Sequence, residues 1–113
     1  VCGVNAYDRN ASAFKPLRLN AEEHRFDTSS TERLRITSAG HVEPSADNTY
    51  DLGGAGNRWR NIYTGDLNLS NEGSANDVDG TWGQYTIQEG ENDLFLINKR
   101  TGKKYKFNLT EVD

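Results

Sequence analysis

The sequence predicts an all-β chain with little interior of its own, and three observations carry that expectation. Helical periodicity is nearly absent along its 113 residues. A short apolar-x-apolar unit recurs instead, at Leu17/Leu19, Leu34/Ile36, Leu67/Leu69 and Leu94/Leu96, separated by polar stretches rich in Ser, Asn, Asp and Gly. Three alternating runs joined by glycine-containing turns then close the chain.

Taken in order, residues 1–45 read as a shaft-like β segment. In "ERLRITSAGHVEP", Leu34 and Ile36 point one way, Ser38-Ala39-Gly40 turns the chain, and Val42 resumes the strand that Pro44 ends. Units this small suit a narrow fibre, in which each strand supplies one or two apolar side chains to a central axis. Residues 46–80 form a Gly- and Asn-rich connector holding the one expected helical turn, Arg58 to Tyr63. There Trp59, Ile62 and Tyr63 share a face at i, i+3, i+4 spacing, and such large side chains are packing residues in most settings.

Residues 81–113 contain "TWGQYTIQE", "DLFLINK" and "KKYKFNLTEV", a three-stranded antiparallel meander turning at Gly90 and Gly102. The last hairpin admits two registers. A three-residue loop pairs Phe95 with Phe107 and Ile97 with Tyr105, leaving Leu94 and Leu96 beside Lys104 and Lys106. A four-residue loop pairs Leu94 with Phe107 and Leu96 with Tyr105, leaving Phe95 and Ile97 beside the lysines. In both, two large side chains lie on what a monomer would leave wet.

Leu, Ile, Val and Phe together make up just under a fifth of the chain, close to the composition at which chains stop folding alone. The net charge of −4 is modest and the aromatic residues offer something to bury, so the chain is expected to be ordered but short of core. Backbone ordering costs roughly 1–2 kcal/mol per residue, against about 25 cal/mol per Å² of apolar surface buried. Partner chains are the simplest supplement. The single cysteine, Cys2, forms no intrachain disulfide and no Cys/His cluster offers a zinc staple. No run of 18 apolar residues exists and the first residues lack a signal-peptide layout, so no membrane insertion is expected, and Val1 is expected to be a cut inside a longer polypeptide. The acidic balance speaks against nucleic acid, with Lys99, Arg100, Lys103, Lys104 and Lys106 read as a solvated hairpin tip.

The phrases "NRWRNIYTGDLNLSNEG" and "DGTWGQYTIQEGENDLFLINKRTGKKYKFNLTEV" resemble the C-terminal ends of tail-fibre and related virion proteins of tailed phages, notably those of cyanobacteria, and "ERLRITSAGHV" resembles their shaft units. The resemblance covers about Thr31 to Asp113 and is most specific from Trp82 to Val112. It implies an elongated, β-rich homotrimer in the virion, joined to other tail proteins, that carries or closes the distal end of a fibre and meets a host-surface glycan or protein. The number three comes from the resemblance alone. Subunit-interface candidates are then Leu34, Ile36, Trp59, Ile62, Tyr63, Leu94, Phe95, Leu96, Ile97, Tyr105 and Phe107.

Chemistry is sparse. Related fibres often continue from a phrase like "NRWRNIY" into a self-cleaving domain beginning with a Ser-Asp pair, but Ser70-Asn71-Glu72-Gly73 stands here without that pair, so autoproteolysis is not expected. His24 and His41 are the only histidines, and no GxSxG elbow exists. Glu89/Glu91 and Asp77/Asp79 are paired carboxylates, yet glycosidase chemistry needs a cleft that holds a sugar between two such groups. "NDVDG" resembles half a calcium loop, but Ala75 and Thr86 stand where further ligands belong, and an Asx-rich turn is the expected reading. The chain is expected to be non-enzymatic, with no cofactor and no metal. For receptor binding, Trp82 and Tyr85 offer a ring platform for a sugar, with Gln84 and Gln88 as amide partners. A fibre-closing trimerisation cap, a polysaccharide depolymerase with its site between subunits, and a sugar-binding module of a cellular protein are the alternatives.

Overall fold

Over residues 3–113, which the computed structural model describes, the chain is all-β without a helix, its nine strands falling in three sheets. It divides into two units, Val1–Arg58 and Trp59–Asp113.

In the first unit, β1 (Tyr7–Asp8) pairs with β2 (Ala13–Phe14), placing the Tyr7 and Phe14 rings edge-on at 5.0 Å. Asp8 closes this hairpin by accepting the backbone N–H groups of Asn10 and Ala11 on Oδ1, an Asx turn. Leu17 and Leu19, expected in a strand, lie outside any ladder and are exposed. Pro16 removes a backbone donor at that point, and no turn brings a partner strand alongside.

β3 (His24–Thr28), β4 (Thr31–Ile36) and β5 (Val42–Pro44) form an antiparallel sheet in that order. Ser29 and Ser30 take φ of 50° and 61°, the left-handed pair that a two-residue hairpin needs to match strand twist. Register puts Phe26 opposite Leu34 and Leu34 opposite Pro44, with His24, Ile36 and Val42 in the next row, so one face is apolar. The expected turn at Ser38-Ala39-Gly40 is present: Gly40 has φ 91°, and Thr37 donates its N–H to the carbonyl of His41. A bulge between Phe26 and Asp27 leaves Arg33 unpaired across the ladder, and its guanidinium reaches the Thr28 and Tyr50 hydroxyls. On the opposite face Arg25 and Arg35 interleave with Glu23 and Glu32.

The expected helical turn from Arg58 to Tyr63 is absent. Gly54 and Asn57 close a tight turn with mutual backbone bonds of 3.0 and 3.1 Å, and the chain then runs without regular structure to β6. Nucleating one isolated turn costs several fixed dihedrals for one hydrogen bond, and Trp, Ile and Tyr are indifferent helix formers. Trp59, Ile62 and Tyr63 are accordingly exposed.

The second unit holds one four-stranded antiparallel meander, β6 (Leu67–Ser70), β7 (Gln84–Glu89), β8 (Leu94–Asn98) and β9 (Lys104–Lys106). The expected three strands gain a fourth, because Leu67 to Ser70 pairs with Gln84 to Ile87 across the long loop 71–83. The last hairpin takes the four-residue loop: Leu96 pairs with Tyr105, and Phe95 and Ile97 pair with Lys106 and Lys104. Asn98 selects it by accepting the N–H groups of Arg100 and Thr101 on Oδ1, while Gly102, at φ 76°, donates to the Asn98 carbonyl.

Strand alternation sorts the residues of this sheet. One face carries the row Leu67, Ile87, Leu96 and Tyr105, flanked by Leu69, Tyr85 and Leu94. The other carries Asn68, Thr86, Ile97 and Lys104, flanked by Gln88, Phe95 and Lys106. Among the described residues no apolar side chain is buried; the one buried residue is Thr86, whose hydroxyl donates to Asn68 Oδ1 at 2.7 Å.

Candidate recognition surface

Trp82 leads into β7 through Gly83, where a Cβ would come within 2.9 Å of the Tyr85 ring, so any larger residue would have to displace that ring. The β8–β9 loop returns to the same place. Arg100 lays its guanidinium 3.7 Å above the centre of the Trp82 ring and donates from Nη1 to the Trp82 carbonyl at 2.9 Å. This stacking is cation–π in character. Trp82, Gly83, Tyr85, Asn98, Arg100 and Thr101 line one groove, and Asn98 Nδ2 lies 3.4 Å from the Tyr85 hydroxyl within it.

A second groove adjoins it, where Trp82 and Tyr85 face the loop of Asn71, Asn76, Asp79 and Thr81. That loop is fastened from inside. Asn76 Oδ1 accepts the N–H groups of Val78 and Asp79, and its Nδ2 donates to Asp79 Oδ1 and the Thr81 carbonyl. Asn71 Oδ1 ties the loop's end by accepting the Gly83 N–H at 2.7 Å. Hydrogen bonds from Thr81 and then Asn76 hold the Asp79 carboxyl below its ordinary range. The carboxylate is thus occupied as a turn staple, and no group of three or more His, Cys, Asp or Glu side chains able to hold a metal occurs among the described residues.

Of the four residues expected to meet a receptor, the structure brings Trp82 and Tyr85 together and separates them from the other two. Gln84 and Gln88 alternate with Tyr85 on β7, so they fall on the opposite face of the sheet, where Gln88 Nε2 donates to Asp66 Oδ2 at 2.9 Å. Beside Trp82 and Tyr85 stand instead the Asn98 amide, the Arg100 guanidinium and the Thr101 hydroxyl, of which Arg100 belongs to the hairpin tip read from the sequence as solvated. A signal for them existed in the loop length, since a four-residue loop turns Arg100 back toward the start of β7.

The interface candidates fall on separate surfaces. Leu34 and Ile36 share the apolar face of β3–β5. Leu94, Leu96 and Tyr105 share one face of the meander, with Phe107 continuing their row through its N–H to the Leu94 carbonyl, while Phe95 and Ile97 lie on the other. Trp59, Ile62 and Tyr63 stand in the irregular segment before β6.

Glu23 and Glu32 of the first unit belong to a structural ladder. Arg25 Nε meets Glu23 Oε1 at 2.8 Å and Glu32 at 3.4 Å, and Arg35 bonds Glu32. The hydrogen bond from Arg25 holds the Glu23 carboxyl below its ordinary value. His41 sits in the β4–β5 turn, its backbone N–H on the Thr37 hydroxyl.

Comparison with protein-family models, with curated proteins and with solved structures returned no match.

Proposed function

We propose that this chain is the distal part of a tailed-phage tail fibre, a structural component of the virion that self-associates as a homotrimer and attaches to the host surface without an enzymatic step. The observation that carries the reading is the missing interior: sheets in both units present an apolar face, yet no apolar side chain among the described residues is buried. A chain built this way is completed by copies of itself, and exposed apolar faces of this extent mark association surfaces. The sequence resemblance supplies the fibre and the number three.

Attachment is assigned to the groove around Trp82, Tyr85, Asn98 and Arg100. Aromatic rings stack on sugar faces, and amide and guanidinium groups donate to hydroxyls, so a glycan is the ligand class this composition suits. Weak sites repeated on a rigid trimer act together because each contact after the first is intramolecular. One observation favours the alternative of a fibre-closing cap: the guanidinium of Arg100 already covers one face of the Trp82 ring.

Native mass and competition for host adsorption separate these readings. The expected particle has three times the 12.6 kDa of one chain, and Trp82→Ala keeps that mass while weakening competition. Undiminished competition by the variant assigns the groove to structure and favours the cap. A monodisperse 12.6 kDa species with a cooperative melt refutes the fibre reading itself.

A further inference from the structure

The meander leaves two strand edges open, β6 on one side and β9 on the other. We infer that these edges recognise each other between copies: β6 of one chain pairs antiparallel with β9 of the next, drawn together by Asp66 on one edge and Lys104 and Lys106 on the other. The inference rests on the self-association proposed above and specifies which surfaces meet.

Backbone bonding shows which groups are free. Asn71 donates its N–H to Gly83, so Leu67 and Leu69 turn their backbone groups toward β7, and those of Asn68 and Ser70 point outward. On β9, Asn98 donates to the Lys103 carbonyl and Phe107 to that of Leu94, which leaves Lys104 and Lys106 outward. The side chains beside these free groups carry opposite charge. Asp66 follows the parity of Asn68 and Ser70 on one edge, as its bond to Gln88 confirms, and the two lysines lie on that same face at the other edge. Asp66, Lys104 and Lys106 make no ion pair among the described residues.

Three edge pairings are available to two copies, and charge chooses among them. β9 against β9 sets lysines against lysines in either register, which is destabilising. β6 against β6 brings no cation to Asp66. Only β6 against β9 matches opposite signs, so the lysines that guard this edge against uncharged strands also select an acidic partner.

Direction agrees. As first and fourth strands of a meander, β6 and β9 run oppositely, and a rotation about an axis lying along the strands preserves that relation. The contact is therefore antiparallel and head-to-tail, the kind that closes into a ring. It also joins apolar rows, because Leu67 and Tyr105, 45% and 49% exposed, are the row's two ends at the two edges.

Charge reversal tests this in the full chain. Asp66→Lys alone and Lys104→Glu with Lys106→Glu are each expected to weaken association at least tenfold in sedimentation equilibrium. The three substitutions combined are expected to restore it. Independently, Asn68→Cys with Lys104→Cys, in a Cys2→Ser background, is expected to form intermolecular disulfides under mild oxidation, which keeps the test decisive if a charge variant misfolds. A multimer indifferent to every reversal and giving no cross-link overturns the edge pairing while leaving the fibre reading intact. A wild-type monomer overturns both.

Discussion

Leu67→Ala tests the idea that copies complete the fold. Leu67 ends the row that runs through Ile87 and Leu96 to Tyr105, and in the single chain it stays 45% exposed. Full burial of a leucine side chain contributes about 1.5–3 kcal/mol, so the portion still open corresponds to about 1 kcal/mol per copy. In the proposed trimer three copies would lose about 3 kcal/mol together, which moves the association constant by roughly two powers of ten. Val78→Ala is the control, because Val78 is 95% exposed in a turn whose bonds come from Asn76. Sedimentation equilibrium over a dilution series reads both variants, with far-ultraviolet circular dichroism reporting that the strands persist. If Leu67→Ala dissociates at the same concentration as Val78→Ala and wild type, the row is not covered and the reasoning fails.

Gly102→Ala meets nothing within 4 Å of its new Cβ, so its cost is that of the left-handed backbone, about 1–2 kcal/mol, and urea unfolding should show it while Gly102→Asn recovers part of it. Thr86→Val removes the hydroxyl that binds Asn68, with an expected loss of about 0.5–1.5 kcal/mol, and a double-mutant cycle with Asn68→Ala should return most of it as coupling. The Glu23 carboxyl, held below its ordinary value of 4.5 by Arg25, contributes stability that is fully present above that value and is lost as pH falls through the lowered one. Urea midpoints followed from neutral pH into that acid range should therefore fall, and Glu23→Gln should flatten the fall.

How much of the fold could be read from the chain depends on where its information sits. The β4–β5 turn is legible because Gly40 and the Leu34/Ile36 alternation are local signals, and the strands β7, β8 and β9 of the meander are legible for the same reason. The register of its last hairpin was narrowed to two, and Asn98 decided it through bonds to Arg100 and Thr101 that no periodicity announces. Leu67 and Leu69 read as a strand unit, but their partner lies beyond a loop closed by Asn71 and Asn76, a pairing that sequence distance conceals. β3 has little sequence signal, since Phe26 is its only large apolar residue and its partner is fixed by two serines in an unusual backbone state. The helical turn failed for the opposite reason. Spacing alone suggested it, and spacing does not supply the packing that pays for nucleation. At the candidate recognition surface, alternation along β7 is enough to exclude Gln84 and Gln88 from the side of Tyr85, whereas placing Arg100 requires knowing which way the loop folds back.

The distribution of these signals bears on how such a chain reaches its final form. Its turns are specified by groups a few residues apart: Asp8 with Asn10, Asn76 with Asp79 and Thr81, Asn98 with Arg100. Contacts of that kind carry little loop-closure entropy, so the hairpin turns do not depend on a wide core for their specification. Apolar burial, which in an ordinary domain supplies the dominant favourable term, would in the proposed trimer come from the meeting of copies. The two tasks then fall on different residues. Polar turn residues set strand register within a chain, and in the proposed trimer Leu67, Leu96 and Tyr105 would set the energy of association between chains. A substitution in the first class should alter the spectrum of the isolated chain at any concentration, whereas one in the second should act only through the concentration at which copies separate.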